Sequence, residues 1–352
     1  MPTPVDPTFW RDKRVLLTGH TGFKGAWMAA MLTHVGARVT GFALAPDTEP
    51  SLFALARIGE IVPEGFGDLR EPQTVAAAVR KARPDIVLHL AAQALVTRAV
   101  REPIATFAAN AMGTANLLDA LRTTDGLRAV LVVTTDKVYE NPQCGRPFRE
   151  SDPLGGHDPY AASKAAAEII TASFARTYFE ERGIAVGTAR GGNVIGGGDF
   201  SADRIVPDIY RAMIGNQDLV LRHPSATRPW QHVLDCLTGY LVYAQALAQG
   251  RDVPRALNIG PSADAQVPVS TLAAAMQAAL GAKPGWRVTE RNEAPEMETL
   301  ALDSTLARQS LGWSDRLIGE AAIRATAEWY LAFTRGEDMA KRVTQSIADY
   351  LG

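Results

Sequence analysis

Short continuous apolar runs alternate along the chain with longer segments in which apolar residues recur at helical spacing. The runs predict six buried strands, at residues 14–18, 39–44, 86–90, 129–133, 185–189 and 256–260. The segments between them predict helices, at residues 26–35, 75–81, 103–123 and 159–181. Apolar strands that alternate with helices are typical of a parallel sheet covered on both faces.

The alternation weakens after residue 190, where loops, prolines and scattered aromatic residues follow a glycine-rich stretch. We therefore predict a large nucleotide-binding domain at 10–190 and 232–262, and a smaller substrate-binding domain at 191–231 and 263–352. The predicted fold class is α/β, with a Rossmann-like doubly wound parallel sheet and a smaller C-terminal α/β domain.

Composition narrows the function classes. The chain has 352 residues, with 36 Lys plus Arg against 38 Asp plus Glu, so its net charge of −2 argues against a nucleic-acid partner. Its longest apolar stretch, residues 86–96, is shorter than the ~18 residues of a membrane span, and residues 1–9 lack signal-peptide features. The two cysteines, Cys144 and Cys236, are too far apart to suggest a disulfide framework or a zinc site. We expect a cytoplasmic protein without a metal ion.

Three glycines lie where the first strand enters the first long helix. Gly19 permits a tight turn, Gly22 permits close approach of a pyrophosphate, and Gly25 permits close packing of helix and strand. The helix start then offers free N–H groups and a positive dipole end. This context predicts a dinucleotide site rather than a purely structural turn. The choice of NAD over NADP rests only on Asp47, which comes late after the second strand.

A second signal is Tyr160 and Lys164, which are four residues apart on a predicted helix and so share one face. An ammonium beside a phenol lowers its pKa toward neutrality and makes it a general base. Thr135, Asp136 and Lys137 follow a buried strand, at the edge where open α/β sheets bind ligands.

Together these residues resemble the extended short-chain dehydrogenase/reductase superfamily, in its nucleotide-sugar epimerase and dehydratase branch. The motifs are Thr18-Gly-x-x-Gly-x-x-Gly25, Asp68, Leu90-Ala-Ala92, Asn110, Thr135 and Tyr160-x-x-x-Lys164. Longer strings resemble the subfamily of dehydratases that act on CDP-glucose. They are Thr18-Gly-His-Thr-Gly-Phe-Lys-Gly25, Thr135-Asp-Lys-Val-Tyr139, Gly192-Asn-Val-Ile-Gly-Gly-Gly-Asp199 and Arg228-Pro-Trp-Gln-His-Val233.

The resemblance implies a bound NAD that is used and restored within one catalytic cycle. It assigns cofactor binding to Gly19, Thr21, Gly22, Phe23, Gly25, Asp68, Leu69, Ala91, Ala92, Asn110, Tyr160 and Lys164. In the implied dehydration, Tyr160 takes the proton of the C4 hydroxyl, Thr135 hydrogen-bonds that hydroxyl, and Asp136 protonates the departing C6 hydroxyl. Hydride then returns to C6. We expect burial to raise the pKa of the Asp136 carboxyl.

Position 137 leaves two roles open. Related dehydratases acting on dTDP-glucose carry Glu there as the C5 base, whereas this sequence and the CDP-glucose subfamily have Lys. Lys137 acts as a base only if desolvation or neighbouring cations keep it neutral. Alternatively, it stabilises the enolate.

The resemblance also implies a nucleotide-sugar substrate, CDP-glucose. Asn193 is predicted to contact the pyrophosphate, Arg228 and Arg204 to hold phosphate, and Gln93 to reach a sugar hydroxyl. For Arg204 a solvated surface charge is an equal alternative. His89 and His232 are interpreted as structural.

Two other functions compete. A nucleotide-sugar 4-epimerase shares the glycine turn, Thr135, Tyr160 and Lys164 but needs no acid for a C6 leaving group, so Asp136 beside Lys137 favours the dehydratase. A non-catalytic NAD(H)-binding protein could share the fold but would need none of Thr135, Tyr160 and Lys164, so the complete set favours an enzyme. Small-residue helix faces at 103–123 and 161–175 suggest a homodimer. The resemblance further implies a deoxysugar for a bacterial surface polysaccharide, such as lipopolysaccharide O-antigen.

Overall fold

The computed structural model describes residues 5–63, 65–141, 145–262, 266–289 and 300–352, so Cys144 lies outside the described residues. Its strands are β1 (Arg14–Thr18), β2 (Arg38–Phe42), β3 (Ile86–His89), β4 (Ala129–Thr135), β5 (Ala185–Gly191), β6 (Asn193–Ile195), β7 (Val220–Leu221), β8 (Thr227–His232), β9 (Ala256–Ile259), β10 (Gln266–Pro268) and β11 (Arg287–Val288). Six of them form a parallel sheet in the order β2-β1-β3-β4-β5-β9. This order is doubly wound, as the sequence predicted.

Helices flank this sheet and build the rest of the chain. They are α1 (Pro7–Trp10), α2 (Phe23–His34), α3 (Leu52–Leu55), α4 (Ile58–Ile61), α5 (Pro72–Ala82), α6 (Val96–Arg101), α7 (Pro103–Phe107), α8 (Gly113–Leu121), α9 (Pro159–Phe174), α10 (Ile205–Ile214), α11 (Val233–Ala248), α12 (Val269–Ala279), α13 (Thr305–Leu311), α14 (Glu320–Thr334) and α15 (Met339–Leu351). In the described part of the chain, no helix is long and apolar enough to cross a membrane.

Two long predicted helices are interrupted. The segment predicted at 103–123 is α7, a π-helical turn at Ala108–Met112, and α8, whereas the segment at 159–181 is α9 followed by a π-helical turn at Ala175–Phe179 and a 3-10 turn. Apolar periodicity does not distinguish these forms, because a single wide turn shifts the register only slightly. The first π turn carries Asn110, whose side chain makes contacts described below.

The start of α9 is specified locally. Asp158 caps it by accepting the N–H groups of Tyr160 and Ala161, and Pro159 occupies the first helical position, where no N–H is needed. Tyr160 therefore lies in the first turn, beside the carboxyl end of β4.

The later part of the chain adds two small sheets, a three-stranded one in the order β10-β8-β6 and a two-stranded one of β11 and β7. The loop after β6 is clamped to the large sheet's helices, because Trp27 donates its indole N–H to the Gly197 carbonyl at 2.9 Å. A Cβ on Gly197 would lie 1.9 Å from a carbon of Trp329 on α14. The backbone of Gly197 therefore lies between Trp27 and Trp329, with no room for a larger side chain.

A buried ion pair joins α9 to β5. The guanidinium of Arg190 donates to the Glu168 carboxylate at 2.9 Å, and both side chains are about 5% exposed or less. Hydroxyls of Thr134 and Thr188 also donate to this carboxylate, and Arg190 donates to the Tyr139 hydroxyl at 2.8 Å. The network fixes the helix that carries the Tyr-Lys pair against β4 and β5.

Replacing Arg190 with Met should lower the free energy of unfolding by about 3 kcal/mol or more, because the Glu168 carboxylate would stay buried without its cation. Urea unfolding measures the change. Arg38→Met is the matched control, since its ion pair with Asp12 is exposed and should contribute little. Equal effects of the two substitutions would contradict the importance of the buried pair.

Candidate active site

The glycine turn after β1 is packed so tightly that two of its positions require glycine. Gly19 has a φ of +80°, and a Cβ there would lie 2.7 Å from the backbone nitrogen of Ala91. A Cβ on Gly25 would lie 1.9 Å from the Gly19 carbonyl oxygen. A Cβ on Gly22 would meet only the Gly19 carbonyl oxygen, at an ordinary 3.6 Å, so this position is not closed by its neighbours. These are the properties that a pyrophosphate-binding turn requires.

The start of α2 fits an anion. The N-cap residue Gly22, just before α2, provides no side-chain cap, so the first-turn N–H groups and the positive dipole end face the turn. Thr21 donates its hydroxyl to the Leu44 carbonyl, and the Ala91 N–H donates to the Thr18 hydroxyl. Thr21 and Ala91 thus order the turn, while Phe23 opens the helix. The residues present fit a dinucleotide pyrophosphate.

Asp68 and Leu69 come shortly after Phe66, which forms a parallel β-bridge with Ala43, the residue that follows β2. The Asp68 carboxylate binds the Arg70 side chain and accepts the Arg70 N–H at 2.9 Å, and the side-chain contact holds the pKa of Asp68 below its usual range. Leu69 is buried against Gly113 of α8. A cofactor contact by either residue, or by the exposed Ala92, stays a prediction.

Gln93 and Asn110 are engaged with one another. The Asn110 side chain accepts the Gln93 N–H at 2.8 Å and donates both to the Gln93 carbonyl and to Ser163 on α9. The Gln93 amide bonds Leu95 and Thr106. Both side chains therefore order the loop after β3 and tie it to α9. A sugar contact by Gln93 would require this amide to exchange partners.

Asp136 is a buried carboxyl at the end of β4. It is 2% exposed, and its Oδ1 accepts the Thr135 hydroxyl at 3.0 Å, while Oδ2 has no hydrogen-bond partner among the described residues. Burial raises the pKa of this carboxyl, against the opposing effects of Lys137, Thr135, Arg228 and Lys24. The direction is the one the sequence predicted, because removal from water disfavours the charged form.

The Tyr-Lys pair departs from its prediction. Burial raises the pKa of Tyr160 to about 12, and a hydrogen bond with Thr135 lowers it only in part. Lys164 instead donates to the Val133 carbonyl at 2.7 Å, and burial lowers its pKa to about 8, against the effect of Glu168. The predicted shift of the Tyr160 pKa toward neutrality is wrong for this structure, because burial raises that pKa by more than the hydrogen bond with Thr135 and the charge of Arg204 lower it.

Two arginines reach the same region from the later part of the chain. Arg204, at the start of α10, pairs with Asp199 at 2.9 Å and acts electrostatically on Tyr160. Arg228, in β8, is 4% exposed and acts on Asp136. Asn193 begins β6 beside β8. Both arginines therefore lie close enough to the end of β4 to act on its ionisable groups. Arg204 is paired with Asp199 and is not an isolated surface charge.

The histidines have structural roles, as predicted. The His89 ring bridges Thr18 and Thr114, and burial lowers its pKa to about 3. His232 caps α11 by accepting the Leu234 N–H.

Lys24 is the site residue that the sequence reasoning missed. It lies in the glycine turn motif, but its ammonium lies 5.9 Å from the ring centroid of Tyr240 on α11. It is also 3.7 Å from the position of a Cβ on Gly191, at the end of β5. In the sequence, Lys24 is distinguished only by its charge at an otherwise apolar helix start. Its spacing from the other motif residues does not indicate a functional role.

The family follows from these features and from one comparison. A family model described as GDP-mannose 4,6 dehydratase matches residues 16–326, so the chain belongs to that family. Among individual relatives, the chain is 38% identical over 353 residues to a CDP-glucose 4,6-dehydratase of Salmonella typhimurium strain LT2, covering 99% of this chain and 98% of the relative. The predicted resemblance to the epimerase and dehydratase branch is confirmed.

Solved structures agree on the fold. A UDP-glucose 4-epimerase of Thermus thermophilus in complex with NAD is 27% identical, with a TM-score of 0.76 over 90% of this chain and 99% of that one. A dTDP-glucose 4,6-dehydratase of Streptomyces venezuelae, solved with NAD, is 24% identical, with a TM-score of 0.78 over 93% and 99%. The predicted Rossmann-like class is confirmed.

Gly191→Ala should disrupt the site. The new Cβ would lie 2.4 Å from the Tyr240 hydroxyl, so α11 or β5 must shift, which typically costs about 1–3 kcal/mol of stability and displaces the neighbouring Thr135. Thermal unfolding and cofactor titration measure both effects. Gly285→Ala, whose Cβ meets nothing within 4 Å, is the control. An unaltered Gly191→Ala protein would contradict the close packing.

Proposed function

We propose that this protein is a lyase that dehydrates CDP-glucose to CDP-4-dehydro-6-deoxyglucose, with NAD as a resident cofactor. The observation that carries the proposal is Asp136, a buried carboxyl with a raised pKa beside Thr135 and Tyr160. Removal of a sugar hydroxyl as water requires such an acid, whereas 4-epimerisation does not. The relative of 38% identity, named for this reaction, supports the substrate.

NAD would be held by the glycine turn and the start of α2, and it supplies a hydride acceptor at C4 and later a hydride donor at C6. The solved relatives that contain NAD support this assignment. Cofactor contacts by Asp68, Leu69, Ala92 and Asn110 belong to the proposal. So does the division into domains at 10–190 with 232–262 and at 191–231 with 263–352.

Tyr160 takes the proton of the C4 hydroxyl, and Thr135 orients that hydroxyl. The phenol needs help, because burial raises its pKa to about 12. Lys164 lies one helical turn away, and Arg204 acts on the phenol from α10. Both cations favour the phenolate over the phenol.

Elimination then needs a base at C5 and an acid at C6. Burial raises the pKa of Asp136, which favours its protonated form, and this carboxyl donates a proton to the C6 oxygen as the C–O bond breaks. Water leaves with that proton. Lys137 follows Asp136 in the chain and either removes the C5 proton or stabilises the enolate.

Substrate phosphates would be held by Arg228, Arg204 and Asn193. Arg228 and Arg204 flank the catalytic edge and carry planar forks of donors that suit phosphate oxygens. Gln93 is proposed to contact a sugar hydroxyl once its amide is released from the loop.

Asp136→Asn should slow dehydration by about 10²–10⁴-fold, because an amide cannot donate the proton. C4 oxidation does not need this acid, so reduced cofactor should accumulate when the variant meets CDP-glucose. Stopped-flow absorbance of reduced cofactor and mass spectrometry of the sugar nucleotide measure the two steps. Asp252→Asn, on an exposed loop, is the control.

Two outcomes would contradict the proposal. Conversion of CDP-glucose to its C4 epimer without loss of water would favour the 4-epimerase. Binding of NAD without any sugar turnover would favour a non-catalytic NAD(H)-binding protein. Dehydration of a different nucleotide-linked glucose, with CDP-glucose left unchanged, would overturn only the assignment of CDP as the nucleotide of the substrate.

We also propose that the protein is a cytoplasmic homodimer whose product enters a bacterial surface polysaccharide. Exposed apolar side chains cluster on α7, the following π turn and α9. Ile104 is 81% exposed, Ile169 is 61% exposed and Met112 is 56% exposed. Burial of such side chains against a second copy would remove them from water.

Ile169→Glu should dissociate the dimer, because a carboxylate would be buried in an apolar interface. Sedimentation velocity measures the mass of the assembly. Ile61→Glu, at a 45% exposed isoleucine on α4, is the control. A dimer that tolerates Ile169→Glu would place the interface elsewhere.

A further inference from the structure

Lys24 is the cation of the site that the proposed reaction leaves without a role. Its Cα lies in the first turn of α2, but its ammonium reaches the ring of Tyr240 on α11. The ammonium also lies 3.7 Å from the Cβ position of Gly191, which is the register partner of Thr135. Lys24 therefore carries its charge from the cofactor turn to the catalytic ends of β4 and β5.

The ammonium of Lys24 acts electrostatically on two buried side chains of the candidate active site. It acts on Asp136 and opposes the charge of Lys164, two side chains that are 2% and 3% exposed. Within the described residues, no ion pair includes Lys24, and its charge rests on an aromatic face instead. A half-buried cation without a counter-ion close to the buried Lys164 is electrostatically unfavourable.

We propose that Lys24 sets the redox balance of the bound nicotinamide, an inference that rests on the NAD-dependent site proposed above. The reactive ring would lie between the pyrophosphate turn at α2 and the proton acceptor Tyr160, and the Lys24 ammonium reaches from that turn to the ends of β4 and β5. The oxidised ring carries a positive charge that it loses on accepting hydride. A neighbouring ammonium therefore opposes the oxidised form and leaves the reduced form unaffected.

The size of the effect follows from Coulomb's law. At an effective dielectric constant of about 20, two unit charges about 10 Å apart change a binding ratio by roughly fifteenfold. By linkage, the same factor favours hydride removal from C4 at the start of the cycle. Lys24 thus acts on the cofactor's charge state and not on a proton of the sugar.

The test compares the affinities of the cofactor-free protein for NAD⁺ and NADH by calorimetry, without sugar nucleotide. In Lys24→Met, the ratio of NADH to NAD⁺ affinity should fall about tenfold. Lys24→Arg should preserve the ratio, because it retains the charge. Lys13→Met is the matched control, since Lys13 also lies over an aromatic ring, 5.4 Å from the Phe9 centroid, but outside the site. Lys24→Gln is a second neutral variant should Met prevent folding.

Two outcomes would overturn the inference. An equal change in both affinities, including loss of both, would assign Lys24 to the pyrophosphate, which is common to the two forms. An unchanged ratio with a lower melting temperature would assign it to packing against Tyr240. Because no sugar is present, the measurement is independent of the dehydratase assignment: a shifted ratio in a protein that dehydrates nothing would leave this inference standing alone.

Discussion

Removal of ionisable groups from water at the end of β4 is the constraint on which the site depends. Asp136, Tyr160 and Lys164 all meet there, and burial pushes each toward its neutral form. The same desolvation therefore has opposite chemical consequences. It helps Asp136, which must carry a proton, and it hinders Tyr160, which must accept one. An acid and a base can act at the same pH only if neighbouring charges shift their pKa values in different directions.

The scaffold keeps these groups in place through contacts that leave little freedom. Gly25 packs on the Gly19 carbonyl, and Gly191 packs on the Tyr240 hydroxyl, so strands and helices approach more closely than larger side chains permit. Arg190 and Glu168 then anchor α9 one turn beyond Lys164. A buried ion pair contributes little net stability by itself, but it penalises any displacement that breaks it. The helix that carries the base is accordingly fixed in register.

Much of this was accessible from the sequence, and the limits have physical causes. The six parallel strands and the glycine turn follow from local patterns, since apolar runs and φ-permissive residues are visible in one dimension. The raised pKa of Asp136 was expected from the family resemblance, because the implied elimination needs a protonated carboxyl. The π turn at Asn110 was not visible, because its apolar periodicity matches that of an α-helix. The raised pKa of Tyr160 was not visible in the sequence either, because it depends on burial of the side chain among several elements of the fold. Lys24 was missed because its ammonium meets residues more than 160 positions away.

The position of Lys24 also implies a compromise between the two halves of the reaction. Its charge disfavours the protonated form of Asp136, which the elimination requires, while it disfavours the oxidised cofactor, which promotes the first hydride transfer. Burial of Asp136 outweighs the combined effect of Lys24, Lys137 and Arg228, since the pKa of the carboxyl stays raised. Desolvation therefore lets this site gather cations for an anionic sugar nucleotide while still favouring the protonated form of its acid. A more open site with the same residues would lose that bias, because water would favour the charged form of Asp136 and weaken the electrostatic effect of every cation around it.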